Sequence, residues 1–362
     1  MYQPRFIARL LLAVCLGGLA VWGFIVSQRD PALIGVMDIG SDVVSVSFSS
    51  NSQLLAASSR QGVWLWRLAY NEQAVRIVQE IQLSTTYANA VAFHPSGQIL
   101  ATADADAIIR LRNVQTGRAI ATIPFDTGPY DDTIYDMQFS SDGVFLAVAN
   151  KYGMITVWSV QDQTVRYQLK GHQRTRIDTS SFDLAEHVLG IAVHPDRSML
   201  ASVGEDTTVH LWSLHDGSLI RVLRSRPEHR SILHAVAFTT DGQYVVASGT
   251  RGAPQVWAIE QELPAKEFLP KEDTMVALAV HPNGELIATG PQMRGRYPAF
   301  RWVGPDDNRI VLWRMTEQEP HAYLTGYFKE TYALAFSPNG LLLASGSEDG
   351  GVRLWSVVEF EE

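Results

Sequence analysis

The stretch TYALAFSPNGLLLASGSEDGGVRLWSV, residues 331–357, decides the fold. It holds three short apolar runs, around ALAF, LLLASG and VRLW. A Pro-Asn-Gly turn separates the first two and a Glu-Asp-Gly-Gly turn the last two. Runs of this length, alternating in polarity and punctuated by such turns, are antiparallel strands. One three-stranded unit has nowhere to bury both its faces, so the rest of the chain has to supply neighbours.

It supplies them as further copies, spaced by 40–50 residues. First strands read VSVSF (44–48), AVAF (90–93), YDMQF (135–139), GIAV (190–193), AVAF (235–238), ALAV (277–280) and ALAF (333–336). Third strands end in an aromatic column at Trp66, Trp158, Trp212, Trp257, Trp313 and Trp355, with Arg112 in that position in the second copy. Looser fourth runs follow, such as GRAIATI (117–123) and TVRYQL (164–169). The pattern predicts an all-β fold: a seven-bladed β-propeller of four-stranded antiparallel blades over residues 31–362. Before the last residue of each first strand stand Ser47, Ala92, Gln138, Ala192, Ala237, Ala279 and Ala335, mostly small, which lets sheets approach near the axis. The seventh copy lacks an outer strand, and Pro31–Ile39 lacks a partner, so the N-terminal run is expected to close the ring.

These copies resemble the WD-repeat family. The Trp-Asp ending of that family is replaced in every copy, as in Trp212-Ser213, Trp313-Arg314 and Trp355-Ser356, and its Gly-His dipeptide survives as Gly171-His172. The resemblance implies a structural network joining that His to a second-strand Ser/Thr, the Trp and a turn Asp. In the fourth copy these are His172, Ser202, Asp206 and Trp212; in the fifth, His229, Ser248 and Trp257 without the Asp. Fifteen extra residues separate His172 from its blade, so few blades are expected to hold a complete network. The resemblance also implies a scaffold in assemblies and not an enzyme.

Residues 1–30 read as a cytoplasmic stub, a transmembrane anchor (about 8–26) and a short linker: Arg5 and Arg9 precede a charge-free run from Leu10 to Val26, and Arg29 follows it. Seventeen helical residues reach about 25 Å, a short bilayer crossing. The arginine bias puts the propeller on the non-cytoplasmic side; a cleaved signal with secretion is the alternative, and Leu12–Cys15 only loosely resembles a lipoprotein box. Cys15 is the sole cysteine, so the propeller has no disulfide. Beyond residue 30 there are 26 basic and 37 acidic side chains, a net −11, which argues against nucleic acid as partner.

No nucleophile, phosphate-loop or metalloprotease motif occurs, and no cofactor or metal is expected. His94, His194 and His281 repeat in His-Pro turns and read as exposed turn residues; Asp104/Asp106 and Asp131/Asp132 read as solvated loop carboxylates. Two departures from the repeat carry more information: the insertion Gln173–His187, with Arg174 and Arg176, and the lengthened turn Pro291–Asn308 of blade six. The second holds Arg294, Arg296, Tyr297, Phe300, Arg301 and Trp302, a composition typical of interface anchors. Both emerge on one face, joined there by Lys151, Tyr152 and Arg251. The expected function is a membrane-anchored scaffold that binds a protein partner, through an acidic or extended segment, at this crown. The rival is a small-molecule sensor or enzyme at the channel mouth, with Asp183, Glu186 and His187 as acid/base groups.

Overall fold

A computed structural model describes residue 30 and residues 32–71, 74–124, 134–172, 187–226, 231–250, 253–269, 274–291, 309–326 and 329–360. They form seven four-stranded antiparallel sheets. Blades one to six each run through four consecutive strands, and the inner strands of successive blades lie against one another all round, the seventh against the first. Residues 1–29, where the anchor is expected, lie outside the described residues; within these no helix is long and apolar enough to cross a membrane.

The seventh blade closes the ring as expected. Its strands Thr331–Phe336, Leu342–Ser347 and Gly351–Ser356 are completed by Leu33–Asp38, which pairs Val36 with Arg353 and Met37 with Val352. The Ser356 N–H donates to the Ala32 carbonyl (2.7 Å), and Thr325 N–H donates to the Asp30 carboxylate (2.8 Å), tying the lead-in to blade six as well. Met37 and Ile39 are buried with Val43, Trp66 and Val352 in one core cluster, so the chain's start helps form the seam between blades seven and one.

The seven turns after the inner strands show how the blades are stitched. Their fourth residue takes a left-handed backbone in every blade: Ser52, Gly97, Gly143, Arg197, Gly242, Gly284 and Gly340. Blades two, four and six open the turn with His-Pro. There each imidazole reaches the next blade: His94 Nε2 to Gly143 O (3.3 Å), His194 Nε2 to Gly242 O (2.9 Å), His281 Nε2 to Gly340 O (2.8 Å). The rings also stand edge-on to Phe139, Phe238 and Phe336. The expectation of exposed turn histidines is therefore corrected: His194 and His281 are buried and His94 half-buried, because each ring is the tie between two blades. Blades three and five return the tie with hydroxyls, Ser141 to Pro195 O (2.9 Å) and Thr240 to Pro282 O (2.8 Å). Seven is odd, so the alternation cannot run all the way round. Blades seven and one meet instead through Asn339 N–H donating to Ser52 Oγ (3.0 Å).

The inner strands carry only Ala or Gly in five of the seven blades at both channel positions. Blades one and three place polar groups there, and these accept backbone N–H groups of the next blade. Val91 N–H donates to Ser45 Oγ (3.3 Å) and Phe93 N–H to Ser47 Oγ (3.3 Å). Ile191 N–H donates to Asp136 Oδ2 (2.8 Å) and Val193 N–H to Gln138 Oε1 (2.7 Å). Gln138 thus departs from the small-residue rule because its amide bridges two blades. The Asp136 residue is only half-buried, yet its carboxyl group is enclosed, and burial pushes its pKa up to about 6 against the two N–H donors from Ile191 and Met137.

Candidate functional site

In every blade the inner strand pairs with the second through a register shift after its first residue, as at Ile134/Asp136 and Val188/Gly190. A bulge there turns the strand where it enters the channel. The same pairing fixes which loops share a face. Val188, the start of blade four's inner strand, pairs with Gly204 at the end of its second strand, and Met275 pairs with Pro291 in the same sense in blade six. The chain therefore leaves His172 and returns at His187 on the face where it leaves Pro291 and returns at Arg309. The turn carrying Lys151 and Tyr152 opens on that face too, held by Asn150 Oδ1, which accepts the N–H groups of Tyr152 (3.0 Å) and Met154 (3.1 Å). Both residues are half-buried. Arg174, Arg176, Arg251, Arg294, Arg296, Tyr297, Phe300, Arg301 and Trp302 lie outside the described residues, as do Asp131, Asp132, Asp183, Glu186 and His229.

At the root of the blade-four insertion the expected network is complete. His172 Nε2 stands 2.7 Å from Ser202 Oγ, Trp212 Nε1 donates to the same oxygen (2.8 Å), and His172 Nδ1 lies 3.0 Å from Asp206 Oδ2. Fifteen inserted residues do not disturb it, because strand pairing fixes Ser202, Asp206 and Trp212, and His172 directly follows the outer strand Thr164–Lys170 of blade three by two residues. Ser202, His172 and Asp206 stand in the order of a hydrolase triad. Ser202 is fully buried and its oxygen already receives the indole N–H, so the group braces the blade and offers no nucleophile to solvent.

The sequence reading missed a fifth participant. His210 stacks on His172 with ring centroids 3.9 Å apart and 11° between planes, and its Nε2 is 3.5 Å from Asp206 Oδ2. Burial, then the neighbouring His172, pushes its pKa down to about 3, so it is neutral at pH 7. Burial alone would raise Asp206, but the hydrogen bond to His172 leads the interactions that outweigh it and hold the carboxyl below its ordinary value.

The Trp column shows a shared rule with three exceptions. The acceptor stands two residues beyond the Trp's cross-strand partner: Ser202 for Trp212, Thr289 for Trp313 (2.8 Å) and Ser345 for Trp355 (2.8 Å). Arg112 obeys it as well, donating from Nε to Thr102 Oγ1 (3.2 Å) and from Nη2 to the buried Asp104 (3.1 Å). Asp104 is thus a paired core carboxylate, held also by Arg110, and not a solvated one. In blades one and three the matching residues are Ala57 and Val148, and the Nε1 groups of Trp66 and Trp158 have no hydrogen-bond partner among the described residues. In blade five the expected role of Ser248 is corrected. Trp257 pairs with Val245, so Ala247 takes the acceptor position and Ser248 faces the other side. The indole N–H goes to the Arg224 carbonyl instead (3.2 Å).

Residues 164–213 and 318–356 match the family model described as WD domain, G-beta repeat, and residues 46–129 match the Anaphase-promoting complex subunit 4 WD40 domain. These are WD40 repeats. The chain is 25% identical over 292 residues to Nuclear distribution protein PAC1 of Arthroderma benhamiae, covering 74% of this chain and 58% of that protein. It is 25% identical over 208 residues to Periodic tryptophan protein 2 of Arabidopsis thaliana (57% and 20%), and 25% over 258 residues to Protein HIR1 of Cryptococcus neoformans (69% and 27%). The chain thus spans less than two thirds of the length of each of these WD40 relatives. WD40 propellers of this kind generally serve as platforms for protein partners.

Proposed function

We propose that this WD40 propeller is a membrane-anchored scaffold that binds a protein partner on the face bearing the blade-four and blade-six insertions. The observation that supports the reading is the strand register: the chain leaves at His172 and Pro291 and is taken up again at His187 and Arg309 on the face that also bears Lys151 and Tyr152. Loops on a rigid ring are where such folds vary to make binding sites. The composition of 294–302 adds aromatic and arginine anchors on a chain otherwise rich in acid, which favours an acidic or extended segment of the partner. The apolar run 10–26 would supply the membrane tie, and the pairing of Leu33–Asp38 at the outer edge of blade seven is compatible with its joining the rim there.

The test uses the full chain in its native membranes, with a photo-crosslinking residue at position 297 and, as control, at Ser96 on the opposite face. A discrete crosslinked partner is expected from position 297 alone. It should vanish when Arg296, Arg301 and Trp302 are replaced by alanine. The same partner captured from position 96, or capture that survives the replacements, overturns the reading.

A further inference from the structure

Exposed large apolar side chains are spread thinly over the ring, with one exception. Among the described residues no blade carries more than two of them except blade seven, which carries four: Ile34 (39% exposed), Val36 (50%), Leu341 (39%) and Val358 (46%). Backbone bonds gather them at one corner. Ser356 N–H donates to the Ala32 carbonyl (2.7 Å) and Val357 N–H to the Leu341 carbonyl (3.2 Å). The segment 356–358 is thus held between the turn that carries Leu341 and the run that leads into Ile34. Val36 follows two residues along the same edge strand, the outermost of its blade. Ile77 of blade one, itself exposed, adjoins that strand: a Cβ at Gly35 would stand 4.0 Å from its Cδ1. Such residues need no explanation singly, but a group of them at one corner does.

The corner is also where the chain enters the ring. Asp30 is fixed there, its carbonyl accepting Leu33 N–H (3.0 Å) and its carboxylate Thr325 N–H (2.8 Å). The apolar run 10–26 ends with only residues 27–29 between it and Asp30, a span of at most about 14 Å. We propose that this corner of blade seven rests on the lipid surface, with Ile34, Val36, Leu341 and Val358 in the interfacial layer of the bilayer. The inference rests on the membrane-anchored reading and adds the orientation of the ring. Leu341 belongs to the turn after the inner strand, on the face opposite the insertions, while the charged end of the edge strand, Asp38, pairs with Gly351 on the insertion side. A ring set down on the Leu341 corner turns the insertion face away from the bilayer and leaves it open to a partner. Lipid fits the patch better than a second copy does. A short tether holds the corner at the bilayer in every molecule, whereas four partly exposed side chains fall short of the roughly 800 Å² per partner of a stable protein interface.

The test uses the full chain in phosphatidylcholine vesicles, with Cys15→Ser so that one introduced cysteine carries an environment-sensitive fluorophore. Corner labels use Val36→Cys, Leu341→Cys and Val358→Cys, and Trp22→Cys reports on the apolar run. The controls are Val165→Cys, 46% exposed on the outer strand of blade three, and Lys151→Cys on the insertion face. Spin-labelled lipid should quench emission at 22, 36, 341 and 358 and leave 165 and 151 unquenched. Quenching at 22 without quenching at the corner overturns the lipid contact while the anchor stands. No quenching at 22 overturns the anchor, and the lipid contact with it. Blue-shifted corner emission that lipid does not quench marks a second copy or another protein on the patch and overturns the proposal. Quenching at 165 or 151 equal to that at the corner does so as well.

Discussion

The Asp136 carboxyl accepts N–H groups from its own strand and from the neighbouring blade, and burial raises its pKa to about 6 from an ordinary value near 4. A raised folded value means the folded state holds a proton that the unfolded chain has released between about pH 4 and 6. Stability from this group therefore falls as pH rises through that window, by up to about 3 kcal/mol for a two-unit shift. Asp136→Asn should erase that slope. The wild-type minus variant difference in urea-unfolding free energy should be most favourable to wild type below pH 4 and shift toward the variant by pH 7; a pH-independent difference would contradict the assignment. No sequence pattern announced this role, because a polar residue on an inner strand reads the same whether it faces water or a neighbour's backbone. The same blindness to facing explains Ser248 and Ala247, where one step of register exchanges acceptor and bystander. It also explains Arg112, whose type hides that its Nε does the work of an indole N–H.

At the level of strands and turns the sequence was far more legible. Period and turn chemistry identify all seven blades, since every inner strand has to end in a left-handed turn residue and every second strand has to be buried on both faces. What stayed hidden was the alternation of His-Pro and hydroxyl turns as interblade ties, because the partner atom in each case is a backbone carbonyl about fifty residues away. His194→Ala leaves the Gly242 carbonyl buried without its donor and removes the ring from Phe238. A loss of about 2–4 kcal/mol is expected in chemical denaturation, whereas Ser141→Ala, at an exposed tie to Pro195, should cost less than about 1 kcal/mol. Equal losses from the two would remove the distinction between buried and exposed ties. The network at His172 shows the converse lesson. The insertion looked disruptive in sequence, but a loop can lengthen freely while the strands on either side hold its ends.

For the whole molecule, the missing strand of the seventh copy was readable from length alone, and Leu33–Asp38 fills it at the register a propeller needs. The pairing of His172 with Asp206 was likewise readable from the repeat, whereas the stacking of His210 on His172 was not, since residues 172 and 210 meet only after two blades have packed. A ring closed by non-covalent pairing of its ends should depend on the first strand far out of proportion to its six residues: the strand buries Met37 and, just beyond it, Ile39, and its loss exposes the edge Gly351–Ser356. The most direct measurement compares thermal unfolding of chains beginning at residue 30 and at residue 40, with a peptide of residues 30–39 added back to the shorter one. A single cooperative transition for the longer chain, a lowered and broadened one for the shorter, and recovery with the peptide are predicted. An unchanged melting temperature on removal of residues 30–39 would contradict closure of the ring by the N-terminal strand.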